Sequence, residues 1–330
     1  MEVTMKSKAV DPAGFGGYEP IRLTSDYVFK YVFGSETSTG ILRSFLSAVQ
    51  TDAGLPAVAE VEIRNPFNPA AYFNDKTSVV DVRARDINGI VYTVEVQALP
   101  ETAFKERALY YWAHAYAGQL GKGQDYESLC PVVGVNIVDF TIFPNKKPVH
   151  TTFYLIPRPK GNIDDHHDHS LNVLTDHLAI HFLELPKLQS QLQPRLRDNT
   201  AKPAEAPHVS TTLLRWLYYM HERGEVNAME DPILLQILRE DPDIEDAEER
   251  YRQFVADDEL REKYQDRIKA ERDRRSQIIY ATKKALAEGR EEGAWSGRLA
   301  VAKKLKARGL SEEEIASLTE LPIEEIHRLE

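Results

Sequence analysis

Apolar positions along the first half of the chain alternate between two periods. Val28, Phe29, Val32 and Phe33 recur at helical spacing behind Thr24-Ser25-Asp26, any of which can cap a helix, and Gly34 interrupts the run. Ile41, Leu42, Phe45, Leu46 and Val49 predict a second helix. Val58, Val61 and Ile63, with acids between them, predict a strand over 58–64 that Asn65-Pro66 ends. Residues 78–86 and 90–96 read as two strands joined by Asp86-Ile-Asn-Gly89, because Asn-Gly is a strong hairpin signal. A helix follows over 101–120, carrying Phe104, Tyr110, Tyr111, Trp112 and Tyr116, and Gly121-Lys-Gly123 stops it. The apolar run 132–140 suits a strand buried on both faces, and 151–156 and 178–185 read as further strands.

Strands and helices interleave up to about residue 186, which predicts a mixed α/β domain; from Val209 onward the pattern is helical. The expected organisation is a disordered leader over 1–17, a core over 18–190 and a linker over 191–208. A charged helical region over 209–300 and a small helix-turn-helix-like tail over 301–330 complete it. At 330 residues the chain is long enough for one large core and an appendage. No apolar run reaches the length that spans a bilayer, and the polar, Gly-rich start lacks the apolar stretch of a secretory signal, so no membrane partner is expected. Cys130 is the single cysteine, which rules out an intrachain disulfide and suits a reducing, cytoplasmic setting.

The net charge of −11 argues against nucleic-acid binding until its distribution is considered. Residues 225–262 hold 14 acids and 4 bases, whereas 271–308 hold 5 acids and 11 bases. The basic stretch is either a phosphate-contacting surface or a solvated, salt-bridged helix.

The hairpin carries the candidate chemistry. Residues two apart on a strand share a face, so Glu95 and Gln97 project together. Reflection about the Asn88-Gly89 turn puts Asp81 opposite Glu95 or Gln97, and facing side chains lie about 5 Å apart at Cβ. Two carboxylates that close raise each other's pKa unless a cation lies between them. Mg²⁺, or Mn²⁺, is the expected cofactor: it would lower the pKa of a bound water and polarise a phosphoryl oxygen. The plain alternative is a pair of solvated strand residues. Glu95 sits among Val91, Val94 and Val96, where an unpaired carboxylate is costly.

Asp81, Asp86 and Gly89, then Glu95-Val96-Gln97, resemble the D…E-x-Q pattern of the PD-(D/E)XK nuclease superfamily. A closer likeness is to the Rpn recombination-promoting nucleases, also described as PD-(D/E)XK family transposases. Leu23 to Gly34 is similar to that family's opening helix, Arg107 to Trp112 and Gln119 to Leu129 to its following helix and loop, and Val135 to Phe143 to its next strand. The resemblance implies a restriction-endonuclease-like core, a mixed central sheet flanked by helices, with an all-helical C-terminal region. It implies hydrolysis of DNA phosphodiesters, with Asp81 and Glu95 on the metal and the Val96 carbonyl as a further ligand. The superfamily usually has Lys where this chain has Gln97, and an amide orients water without bringing charge. Asp26 is either an acid that joins the metal or a helix cap. Lys76 faces phosphate or lies on a solvated loop. Arg107 and Tyr111, four apart on one helical face, line the site or brace it.

Other features carry less. Asp164-Asp-His166-His167-Asp168-His169 lacks ligands from a second element and reads as a polar loop. His177 and His181 fall on a strand, where a four-residue spacing does not converge. In the tail, Ser311 and Glu314 form a capping-box pattern, but the acidic last helix suits packing or oligomerisation better than reading DNA. The expected protein is a DNA endonuclease serving recombination, transposition or defence, acting as a homodimer to cut both strands. The rival is a non-catalytic interaction protein on a nuclease-like scaffold, binding a partner protein through its C-terminal helices.

Overall fold

A computed structural model describes residues 20–67, 81–144, 148–157, 173–189, 211–225 and 227–329. The leader, Lys76, the Asp164–His169 run and the whole of the expected linker lie outside the described residues.

Among the described residues six strands form one sheet: β1 (Val61–Ile63), β2 (Val82–Asp86), β3 (Val91–Gln97), β4 (Val132–Val138), β5 (His150–Phe153) and β6 (Leu178–Glu184). Their spatial order is β1-β2-β3-β4-β6-β5. β1, β2 and β3 pair antiparallel, β4 lies parallel to both β3 and β6, and β5 closes the far edge antiparallel. Every residue of β4 and β6 is buried, which is why both read as apolar runs rather than as alternations.

The hairpin turn forms as its residues require. Gly89 adopts φ +84, and the Asp86 carboxylate accepts N–H bonds from Asn88 and Ile90, both at 2.9 Å. Parallel strands need a crossover, supplied between β3 and β4 by α3 (Phe104–Ala117). Phe104 and Ala108 of α3 pack with Val138, Leu178, Ile180 and Phe182.

Two earlier helices, α1 (Asp26–Phe33) and α2 (Thr39–Asp52), bury the apolar sets seen in the sequence. They join α4 (Thr212–Glu222), α5 (Pro232–Glu240) and α6 (Pro242–Ala256). Trp216 of α4 is fully buried against the rings of Phe33 and Phe45, and Phe254 of α6 meets Tyr27 edge-on at 5.5 Å. The architecture is therefore a mixed sheet flanked by helices with a helical C-terminal region, a PD-(D/E)XK fold.

The chain divides into two compact units, residues 1–264 and 265–330. The second contains the later part of α7 (Asp258–Ala307), then α8 (Glu312–Thr319) and α9 (Ile323–His327). Its small core is Ala302, Ile315, Leu321 and Ile326. Ser311 and Glu314 form the reciprocal capping box at the start of α8.

Candidate active site

The β2–β3 register pairs Val82 with Val94, so Asp81 enters β2 beside Glu95. The Asp81 N–H donates to Glu95 Oε2 at 3.3 Å. Asp81 Oδ2 accepts from the Val96 N–H at 2.8 Å, and its Oδ1 lies 3.2 Å from Lys30 Nζ. Both acids are largely shielded: Asp81 is 7 % exposed, and the Glu95 side chain 14 %.

Arg107 closes the opposite side. From the first turn of α3, its Nη2 lies 3.6 Å from Glu95 Oε1 and donates to Gln97 Oε1 at 2.9 Å. Nη1 pairs with Glu101 at the rim. Its guanidinium lies over the Phe104 ring at 4.8 Å and the Tyr111 ring at 5.8 Å. Arg107 is thus a wall of the site, with Tyr111 stacked behind it.

Burial dominates the electrostatics. It pushes the Asp81 pKa up, against the pull of Lys30, and the charge of Asp26 pushes it further. Glu95 is pushed up to about 9, first by burial and then by repulsion from Asp81, with Arg107 and Lys30 opposing. The Tyr111 hydroxyl is raised by burial and by Glu95. At neutral pH the metal-free acid pair therefore retains a proton.

The candidates named from the sequence divide clearly. Asp81, Glu95, Gln97 and Arg107 come together. Asp26 acts on Asp81 through its charge; the N-cap position falls to Ser25, and Asp26 is the first helical residue. Gln97 has both ends of its amide engaged, the oxygen by Arg107 and the nitrogen by the Leu99 carbonyl at 3.0 Å. His177 and His181 part company, His177 toward Tyr116 and His181 toward His150. Lys30 is the residue that the sequence pattern did not single out. Its signal was a lone charge inside the apolar set of α1, four residues after Asp26, where i,i+4 neighbours share a face.

Among the described residues, no three His, Cys, Asp or Glu side chains are arranged around one point as metal ligands. Two buried carboxylates with raised pKa values nevertheless fit a hard divalent cation, which prefers oxygen donors and would relieve their repulsion.

Paired acids thus lie on adjoining strands of a mixed sheet. The family model described as PD-(D/E)XK nuclease family transposase matches residues 23–281, and the chain belongs to that family. Compared with curated proteins and with solved structures, the chain finds no match. No helix among the described residues is long and apolar enough to cross a membrane.

Proposed function

We propose that the chain is a Mg²⁺-dependent DNA endonuclease of the Rpn type, serving recombination, transposition or defence in the cytoplasm. The observation that carries this reading is the buried pairing of Asp81 with Glu95, in a chain of a nuclease family. Asp81 and Glu95 would hold the metal, with the Val96 carbonyl as a further ligand. Bound Mg²⁺, or Mn²⁺, supplies Lewis acidity and lowers the pKa of a coordinated water. The reaction adds water across a phosphodiester: a new P–O bond forms as the bond to the leaving oxygen breaks, and that oxygen takes up a proton.

The protein's own groups do the arranging. The Val96 N–H and Lys30 orient the Asp81 carboxylate, while Gln97 and Glu101 hold Arg107 against Glu95. Phe104 and Tyr111 lay their rings against the Arg107 guanidinium. One such site cuts one strand, so duplex cleavage calls for a homodimer.

A second reading has its own support. Each acid already has a cationic neighbour within the protein, Lys30 beside Asp81 and Arg107 beside Glu95, and Gln97 is fully engaged. A chain that had become a non-catalytic partner-binding scaffold would look the same. Purified protein with plasmid DNA, with and without Mg²⁺, separates the two when run beside Asp81→Ala and Glu95→Ala. Mg²⁺-dependent nicking lost in both variants supports the nuclease. Cleavage that survives both removes this mechanism, and no cleavage with any divalent ion favours the scaffold. Competing RNA in the same assay identifies the nucleic acid.

A further inference from the structure

We propose that Lys30 supplies, from α1, the positive charge that the second strand of the hairpin lacks, and that it is a positioning residue for hydrolysis at the Asp81–Glu95 site. This rests on the nuclease reading above. Hydrolysis of a phosphodiester builds negative charge on the phosphoryl oxygens, and fixed cations aimed at that charge are a large source of rate enhancement. Gln97 cannot serve, because it is neutral and both ends of its amide are bonded within the protein. Arg107 serves the other acid: its fork is shared among Glu95, Gln97 and Glu101 on the α3 side and does not reach Asp81 in any bond described above.

Lys30 is placed differently. It lies one helical turn beyond Asp26, and its ammonium reaches Asp81 Oδ1 at 3.2 Å in a setting where both side chains are under 10 % exposed. Stability alone does not account for it. Removing two charges from water is costly, and an apolar residue of similar volume is often neutral or better at such positions. A buried amine placed on the carboxylate that would ligate the metal is explained by chemistry at that carboxylate. A lysine also suits this role, because its compact ammonium donates along three directions, whereas an arginine fork imposes one plane.

The test transplants the charge. Wild type, Lys30→Met, Lys30→Arg, Gln97→Lys and the double variant Lys30→Met with Gln97→Lys are compared in three measurements. These are Mg²⁺-dependent plasmid nicking, calorimetric titration with Ca²⁺, and thermal melting. Lys30→Met is expected to lose about a hundredfold in kcat with KM changed by only a few-fold. Its Ca²⁺ affinity should rise about tenfold, because a competing cation has gone. The double variant should recover at least about tenfold of the lost rate, since Gln97→Lys returns a charge to the same carboxylates from the neighbouring element.

Lys30→Met that nicks at the wild-type rate overturns the proposal, as does a loss of Ca²⁺ binding in step with activity, which would mark a structural role. Should Lys30→Met fail to fold, Lys30→Gln decides the matter. That variant removes the charge and keeps a polar side chain; retained Ca²⁺ binding with kcat lowered about a hundredfold, and largely restored in Lys30→Arg, supports the proposal, and an unchanged kcat overturns it. An inert wild type removes the nuclease reading and this one together, whereas an active wild type beside an equally active Lys30→Met removes only this one.

Discussion

Glu95→Gln should make the metal-free protein more stable, by an amount that grows with pH. In the folded chain Glu95 is held protonated to about 9, against an ordinary 4.5. A group whose pKa is raised on folding contributes least penalty below its unfolded value; stability then falls as pH climbs from 4.5 toward 9, because the unfolded chain has released a proton that the folded chain keeps. At about 1.4 kcal/mol per pH unit, the penalty at pH 7 is roughly 3 kcal/mol as an upper bound, since coupling to Asp81 shares it between two groups. Glutamine has the shape of the protonated acid and preserves the acceptor for the Asp81 N–H. It therefore removes the penalty without opening a cavity. At roughly 2–4 °C per kcal/mol, Glu95→Gln should melt several degrees above wild type at about pH 7, with the gap closing near pH 4.5. Melting in EDTA across about pH 4.5–8.5 measures this directly. Saturating Ca²⁺ should then reverse the order, because it stabilises only a site with both carboxylates. A gap that stays constant with pH, or a variant less stable than wild type throughout, would refute the electrostatic account of the site.

Gly89→Ala should destabilise by roughly 1–3 kcal/mol in urea titration, since φ is +84 and the new Cβ would meet Cys130 Sγ at 2.9 Å. Trp216→Ala empties a position enclosed by Phe33 and Phe45 and should cost about 3–5 kcal/mol in the same assay. His181 is pushed down to about 3 by burial and by His150, so the folded chain resists protonation there. Wild type should lose up to about 1.4 kcal/mol per pH unit below 6.5 relative to His181→Gln, measured by urea midpoints between about pH 4.5 and 7. Ser311→Ala removes one half of the capping box and should weaken α8 by about 1 kcal/mol, seen as faster hydrogen exchange at the Glu314 amide.

Much of the core was legible because its signals are local. Asn88-Gly89 between two strand patterns announces the turn and narrows the register to within one or two residues, and the largely apolar stretch at 132–138, broken by Asn136, announces a strand covered on both faces. The partners of the later helices were not legible. Tyr251 Oη bonds the Ile21 carbonyl, and Tyr264 Oη accepts from the Arg22 N–H at 3.3 Å, across 242 residues of sequence. Periodicity says that a helix has a buried face but not what covers it. The candidate site was half legible for the same reason. Asp81 and Glu95 are joined by one hairpin, whereas Lys30 reaches them from a helix about fifty residues earlier, and a lysine on an amphipathic helix ordinarily reads as a solvated edge. Arg107 was visible as a face-sharing neighbour of Tyr111, but its grip on Gln97 depends on how α3 folds back over β3.

Because the two acids lie only 14 residues apart along the chain, their meeting depends on a single short ribbon closing on itself. Short closures cost little entropy and form quickly, so the carboxylates can find each other before distant helices arrive. Remote parts of the molecule are then free to diverge while the distance between those oxygens is kept. A single residue inserted into the ribbon would turn one acid to the opposite side of the sheet and separate the pair at a stroke.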